Sequence, residues 1–584
     1  MIYPTLPTQA TTREMVDVFE GYHRGQRIGA GEAYDMKNMT SDYYPVIAPR
    51  RKRGVYGSPA SPQGIIAKET LCYVDGASLV VGDAVVDAGL STAAEDCPKQ
   101  LISMGAYVII MPDKVFVNTQ NTEDRGKIEN SFVSKGKVTF SLCAVSGEGY
   151  EDAYVSDTAP EDPKNLDYWL DTSGNTHVLK RYSSVSGWVS ISSTYVKISS
   201  PGLGKGFRVY DGITISGIVV KEIMGFNGSL IVQACGDDYI VVTGMLDQVT
   251  EQMLSQGKIT VERRMPNMDF VIESGNRLWG CRYGQARNGE QVNEIYASKL
   301  GDFKNWNCYM SLSTDSYAAS CGTDGPFTGA VSHMGYPMFF KENFVHMVYG
   351  NYPANYQIQT TACRGVQKGC HGSLAIVNET LYYKARSGIC AYDGSLPVEV
   401  SGALGNETYE DAVAGAHGGK YYISMRDGTG NWHLFVYDTA RNLWHREDDL
   451  RVSAFCSWQG EMYCIDRDRL NIITLFGSGV QDKDPVEWMW QSGELGVSSP
   501  DMKYLSGLLV RLSLAAGSIA DFYVRYENEE DWTQVCHIRG TGLRSFNVPI
   551  RPRRCDHMYL KIVGKGDGKI HAITRSIVGG SERS

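Results

Sequence analysis

A short unit recurs along this chain: an apolar strand, a turn of Gly, Asn or Asp, a second apolar strand, then an aromatic. It reads Leu71-Cys72-Tyr73-Val74-Asp75-Gly76-Ala77-Ser78-Leu79-Val80-Val81 early on and Ile272-Glu273-Ser274-Gly275-Asn276-Arg277-Leu278-Trp279 in the middle. It returns as Ile376-Val377-Asn378-Glu379-Thr380-Leu381-Tyr382-Tyr383, as Ala416-His417-Gly418-Gly419-Lys420-Tyr421-Tyr422 and as Ser457-Trp458-Gln459-Gly460-Glu461-Met462-Tyr463. One small antiparallel sheet cannot bury its own faces, so hairpins repeated along a chain predict a β-propeller. Counting hairpins gives about six or seven blades, within the usual range of that architecture.

At 584 residues the chain is too long for one core. Its 63 glycines, 35 tyrosines and 10 tryptophans favour turn-rich β structure. Helical periodicity is nearly absent, and the best helical stretch is short, around Val249 to Gln256. A net charge of −10 argues against nonspecific wrapping of nucleic acid, yet a wall that repels phosphate suits a channel through which DNA slides. The fourteen cysteines include no Cys-x-x-Cys pair and mostly sit in apolar strand patterns, so free thiols and a reducing cytoplasm are expected. Met1 to Glu20 has no apolar core of a secretion signal, and no apolar run is long enough to span a membrane. The four Asn-x-Ser/Thr sites, at Asn38, Asn227, Asn378 and Asn406, are then coincidental.

The rhythm divides the chain. Residues 1–55 form an extended arm ending in Pro49-Arg50-Arg51-Lys52-Arg53-Gly54. The arm docks on the body of the protein or on a neighbour, although a basic run is also what a solvated loop looks like. Residues 56–140 supply the first blades. Residues 141–264 turn polar and Ser/Gly/Asp-rich, which predicts a small β domain inserted in a blade-to-blade loop, where insertions cost little. Residues 265–483 resume the blades, and 484–584 alternate at the spacing of a separate β-sandwich.

Catalytic signatures are missing. There is no His-Glu-x-x-His, no zinc spacing, no Walker-type loop, no Gly-x-Ser-x-Gly elbow and no sialidase-type Asp box. Cys370-His371 reads as a buried thiol and a turn histidine. Glu447-Asp448-Asp449 reads as a blade-end turn, without the spacing of a calcium loop. Gly202-Leu203-Gly204-Lys205-Gly206 and Gly564-Lys565-Gly566-Asp567-Gly568 read as turns. Paired carboxylates for glycan cleavage stay possible among 66 acidic residues. The expectation is a chain that is not an enzyme, with no catalytic, cofactor or metal residues.

Three segments resemble the propeller-containing tail hub or nozzle proteins of tailed bacteriophages, the packaged-DNA stabilisation proteins. The first is Gly31-Glu32-Ala33-Tyr34-Asp35-Met36-Lys37-Asn38-Met39 with Asp42-Tyr43-Tyr44-Pro45 and the following basic run. The second, and most specific, is Glu273-Ser274-Gly275-Asn276-Arg277-Leu278-Trp279-Gly280 with Asn293-Glu294-Ile295-Tyr296-Ala297-Ser298-Lys299-Leu300-Gly301-Asp302-Phe303-Lys304-Asn305-Trp306. The third is the tail from Pro549 to Gly580, similar to prophage proteins of gut Firmicutes. Residues 141–264 have no counterpart in the family pattern.

The resemblance implies a structural virion protein of the phage tail, assembled in the bacterial cytoplasm. It implies a homo-oligomeric ring, taken as a hexamer, below the portal and adaptor, passing double-stranded DNA without reading its sequence. Arg50, Arg51, Lys52 and Arg53 are then candidate assembly contacts. Two other readings stay open. One is a host-recognition module whose Tyr168, Trp169 and Trp188 stack on surface glycan, although aromatics at strand positions are more often core. The other is a glycan-degrading propeller enzyme.

Overall fold

A computed structural model describes residues 11–92, 99–150, 152–175, 177–246, 249–286, 289–481, 483–496, 501–540 and 542–579. Among these residues there is no α-helix, only five single 3-10 turns between strands. The stretch expected to be helical, Val249 to Gln256, is instead the strand Thr250–Gln252 followed by one such turn, Leu254–Gln256.

Six four-stranded sheets and one five-stranded sheet form the propeller. The first two blades run Pro62–Ala67 to Ala84–Asp87 and Gln100–Met104 to Arg125–Lys127. Blades three to six run Phe270–Ser274 to Tyr317–Ser320, Gly329–His333 to Gln357–Ala362, Ala375–Val377 to Val398–Glu399 and Tyr409–His417 to Leu443–Arg446. Blade seven takes three strands from Val452–Trp458, Glu461–Asp466 and Asn471–Thr474, its fourth from Gly54–Gly57, and a short edge strand from Val480–Gln481. The ring is therefore closed by the end of the N-terminal arm, with Thr474 opposite Gly54 and Ile473 opposite Val55.

The recurring unit falls where the inner strand turns into its neighbour in blades three, five, six and seven. Both residues of the turn take positive φ: Gly275 and Asn276, Asn378 and Glu379, Gly418 and Gly419, Gln459 and Gly460. That is the primed turn whose twist matches a right-twisted hairpin, which is why Gly and Asn punctuate the repeat. Apolar clusters fill the spaces between blades. Cys72, Val74, Val108 and Val117 join blades one and two, and Trp279, Cys281, Phe339 and Val348 join three and four. Tyr463, Ile465, Ile65 and Leu71 join seven to one.

The inserted domain starts earlier than residue 141. Asn130–Val133 and Val138–Cys143 already belong to its curved eight-stranded sheet, which ends at Thr260–Arg263. Its own core includes Phe140, Ile198, Ile213, Val232 and Ile240. A second small sheet, Tyr154–Ser156, Tyr168–Asp171, Val178–Ser183 and Gly187–Ser190, grows out of it.

The sandwich is not built from 484–584 alone. Thr11–Val16 of the arm pairs with Gly568–Gly579 along one sheet, and Glu32–Lys37 pairs with Glu487–Ser492 in the other. Strands such as Ile519–Tyr526 alternate half-buried and buried positions, and the buried ones pack against Trp488 and Trp490. The expected extended arm is thus woven into both of its neighbours.

Candidate functional site

Three places could carry function: the basic run, the propeller channel and the outgrowth of the inserted domain. The basic run splits in two. Arg53 is buried, donating from Nη2 to Glu447 Oε2 at 2.9 Å and pairing through Nη1 with Asp448 Oδ2 at 2.5 Å. Arg50 donates to Asn38 Oδ1 at 2.8 Å and to Asp448 Oδ2 at 3.3 Å. Burial alone would raise the pKa of Asp448, but Arg53 and Arg50 hold it below the usual carboxylate range. Arg50 and Arg53 are therefore internal fasteners, each paired with both Glu447 and Asp448 of the same chain. Arg51 is exposed, and Lys52 is half-buried with Nζ 3.3 Å from the Lys483 carbonyl. The acidic run read as a blade-end turn is the counterpart that sequence reasoning left unpaired; opposite charge between Arg50-Arg53 and Glu447-Asp448 was the available signal.

The channel runs between the inner strands of the blades. Leu101, Ile272, Val331, Leu374, Ala414 and Ala454 are among the residues that line a cavity of about 490 Å³ there. Two of its polar groups are engaged. Gln100 exchanges two hydrogen bonds with the Val271 backbone, and Glu273 accepts from the Asn276 amide at 2.9 Å. His371 stands in the channel with its ring 5.2 Å from that of Phe270, and loss of water around the charged form lowers its pKa. Cys370, beside it in sequence, is buried. Among the described residues no cluster of three or more His, Cys, Asp or Glu is arranged to hold a metal. The thirteen described cysteines are unpaired, Cys97 lying outside them, and burial pushes the Cys143 and Cys321 thiols up to about 11.

The outgrowth sorts its aromatics by face. Tyr154 opposite Trp169, Trp169 opposite Lys180, and Tyr182 opposite Trp188 put these five on one side. The other side carries Leu170 and Leu179, both buried, and Tyr168, whose ring lies 4.6 Å from Tyr150. On the first side Trp188 stands 5.4 Å from Trp169 and 5.2 Å from Tyr182, edge to face. Lys180 lies 4.6 Å over Trp169 and donates to Asp171 at 2.7 Å. Trp169 is buried by this packing, while Trp188 and Tyr182 keep half-buried rings toward solvent. Of the three aromatics proposed as platforms, Trp169 is buried, and Tyr168 and Trp188 are half-buried on opposite sides of the sheet.

The most specific family-like segment proves to be a joint. Arg277 is buried and donates to the carbonyls of Ser298, Ser313 and Asp315 at 2.7, 2.8 and 2.5 Å. Asn305 accepts from the Gly212 amide at 2.9 Å and donates to Asp211 Oδ1 at 3.0 Å. Asp211 also pairs with Arg263, which donates to the Ile128 carbonyl. A Cβ on Gly212 would stand 2.0 Å from the Asn307 carbonyl oxygen, so glycine lets the inserted domain close on blade three.

No family model and no curated protein matches the chain. Solved structures similar to it include an exo-β-1,3-galactanase from Phanerochaete chrysosporium, 10% identical, with a TM-score of 0.21 over 52% of this chain and 94% of that one. Another is a glycoside hydrolase family 43 arabinoxylan arabinofuranohydrolase from Bacillus subtilis, 9% identical, TM-score 0.14, covering 52% and 94%. Trypanosoma rangeli sialidase is 8% identical, TM-score 0.21, covering 96% of each chain. At these scores the likeness goes no further than all-β architecture. It does correct one expectation: the proteins met in this comparison are glycan-cleaving enzymes, so the missing sequence signatures do not make this chain a non-enzyme. Among the described residues no helix is long and apolar enough to cross a membrane.

Proposed function

We propose that the chain is a structural protein of a bacteriophage tail, a hub or nozzle whose copies form a ring below the portal and adaptor and line or close the DNA exit. The observation that supports this reading best is the path of the arm. One segment completes the sandwich, crosses blade six through buried ion pairs and closes blade seven, which suits a part that transmits load between neighbours. The resemblance in blade three adds to it. The propeller's own cavity, about 490 Å³, is far too small for a duplex, so DNA would pass through the opening of the ring. Antibody raised against residues 265–584 and imaged on intact virions tests the reading. Label on the axial tail below the neck is the expected result; virions without label, or label on side projections, would count against it.

A second reading, a glycan-acting tail protein, is favoured by the solvent-facing rings of Trp188 and Tyr182 on the outgrowth. Aromatic rings with a polar edge suit surfaces that are partly apolar and partly wet. A panel of bacterial polysaccharides, assayed for new reducing ends and for retention of the protein, decides it. Retention lost in Trp188→Ala supports glycan binding, and new reducing ends support cleavage.

A further inference from the structure

The sandwich sheet that carries Ile519–Tyr526 and Met558–Lys565 buries one face in the core and turns the other toward solvent. On the solvent side Arg525 stands opposite Tyr559, and Lys561 opposite Tyr523, in the ladder between these two strands. Trp532, from the loop before the edge strand Thr533–Arg539, completes the group. The Arg525 guanidinium lies 4.5 Å over the Tyr559 ring and 5.0 Å over that of Trp532. Lys561 Nζ lies 4.3 Å over Trp532 and 5.4 Å over Tyr523. Two cations thus share one tryptophan, and all five side chains are half-buried. What these cations lack is an anion. Among the described residues neither makes an ion pair, and Arg525 Nε is buried without a hydrogen-bond partner. Burial first and the charge of Arg525 second lower the pKa of Lys561, so the two positive charges press on each other. The carboxylates along the border are engaged elsewhere. Asp35 pairs with Arg446 at 3.2 Å, Asp521 accepts from Gln534 at 2.7 Å, and Glu494 accepts from the Tyr559 hydroxyl at 3.1 Å.

We infer that this face of the sandwich binds an acidic sugar of a polysaccharide, its carboxylate held by Arg525 and Lys561 and its ring set against the aromatic group. A guanidinium lying on a ring still offers its N–H fork to a carboxylate, and the surrounding rings keep water away and strengthen the attraction. The border carboxylates decide between an acidic sugar and nucleic acid. A DNA strand brings a charge with every nucleotide. Asp35, Asp521 and Glu494 would repel the charges on either side of the one that is bound. A polysaccharide whose acidic sugars are spaced by neutral ones brings hydroxyl groups there instead, and carboxylates accept hydrogen bonds from them. The chain as a whole, at a net charge of −10, repels a polyanion, so binding of one requires a local site of this kind.

The inference adds a place on the sandwich to the glycan-acting reading and does not rest on Trp188 or Tyr182, which belong to the inserted domain. Trp188→Ala is expected to leave this binding unchanged, so the two can fail separately. Saturation-transfer NMR on the full chain tests it, with methyl glucuronide as the probe and methyl glucoside as its uncharged counterpart. Saturation of the glucuronide and none of the glucoside is expected. Arg525→Lys, which keeps the charge and loses the fork, and Lys561→Gln should each raise the glucuronide dissociation constant about tenfold, as for the loss of one charged hydrogen bond. Both should melt with the parent chain, and Lys561→Gln carries the test alone if Arg525→Lys melts lower. Lys221→Gln, the same loss of charge at an exposed position of the inserted domain, should change nothing. Equal saturation of the glucoside, no saturation of either probe, unchanged binding in Lys561→Gln, or equal weakening in Lys221→Gln each overturns the inference. Displacement of the glucuronide by a thymidine oligonucleotide at lower concentration than by unlabelled glucuronide overturns it in favour of nucleic acid.

Discussion

Two joints hold this molecule together, and they are built differently. The inserted domain meets blade three through Asp211, Arg263 and Asn305, one ion pair flanked by an amide and by backbone carbonyls. The arm meets the end of blade six through two arginines and two carboxylates, and its Asn38 side chain donates to the Glu487 carbonyl of the sandwich at 2.6 Å. The first joint ties an insertion to the blade next to it in sequence, so its loss frees one domain. The second connects residues almost 400 positions apart and also supplies the last strand of the ring. The arm is therefore the fastening on which the closed propeller depends.

Asp448→Ala should be the most damaging single change. It leaves Arg53 and Arg50 nearly buried without a main partner, a loss of about 3–5 kcal/mol by comparison with other broken buried pairs. Urea unfolding should show one earlier transition of the whole propeller. Arg263→Ala removes a charge of similar burial, also at a cost of roughly 3 kcal/mol, yet its effect should stay local. Limited proteolysis should then cut within 128–264 first, leaving the blades intact. Loss of the whole propeller in Arg263→Ala would break the contrast. Asn305→Ala, which strands the Gly212 amide and one oxygen of Asp211, should act in the same place at about 1–3 kcal/mol.

Acid should separate the joints further. His445 is buried at the arm joint near Lys420, Asp42 and Asp438, and burial first and Lys420 second lower its pKa to about 3. A histidine with a depressed folded pKa binds its proton more readily when unfolded. Its contribution is complete above about pH 6.5, the ordinary histidine value, and is lost as pH falls toward 3. Asp42, Asp438 and Asp448, all held below their ordinary range, add a second loss at lower pH. Asp211, Arg263 and Asn305 include no histidine. Proteolysis followed from pH 7 downward should therefore open the arm between residues 11 and 53 before the inserted domain, and His445→Gln should blunt the change between pH 6.5 and 4.

The hairpin repeat was readable in the sequence because the primed turn demands positive φ at two neighbouring residues, and Gly and Asn mark the place. The blade-three segment was readable as a family-like pattern, and its role as a joint was not, because Asn305 meets Asp211 only in the folded chain. The start of the insertion was set too late because Asn130–Val133 and Val138–Cys143 carry the same alternation as a blade strand. The arm's docking partners were not readable for a related reason. Its strands are short, polar outside and paired far away, so neither period nor length announced them.

The smallest expected effect separates the two halves of the basic run. Arg51 is exposed next to two internal fasteners, and its removal leaves every buried charge of the arm joint paired. Arg51→Ala should change stability by no more than about 0.5 kcal/mol, the usual range for a surface site. If copies or an adaptor meet this loop, the same variant should weaken assembly while melting at the same temperature as the parent chain. Sedimentation of both chains over a range of concentrations reads the two quantities apart. A stability loss comparable to that of Asp448→Ala would instead make the whole run one structural unit and erase the distinction between fastened and free arginines.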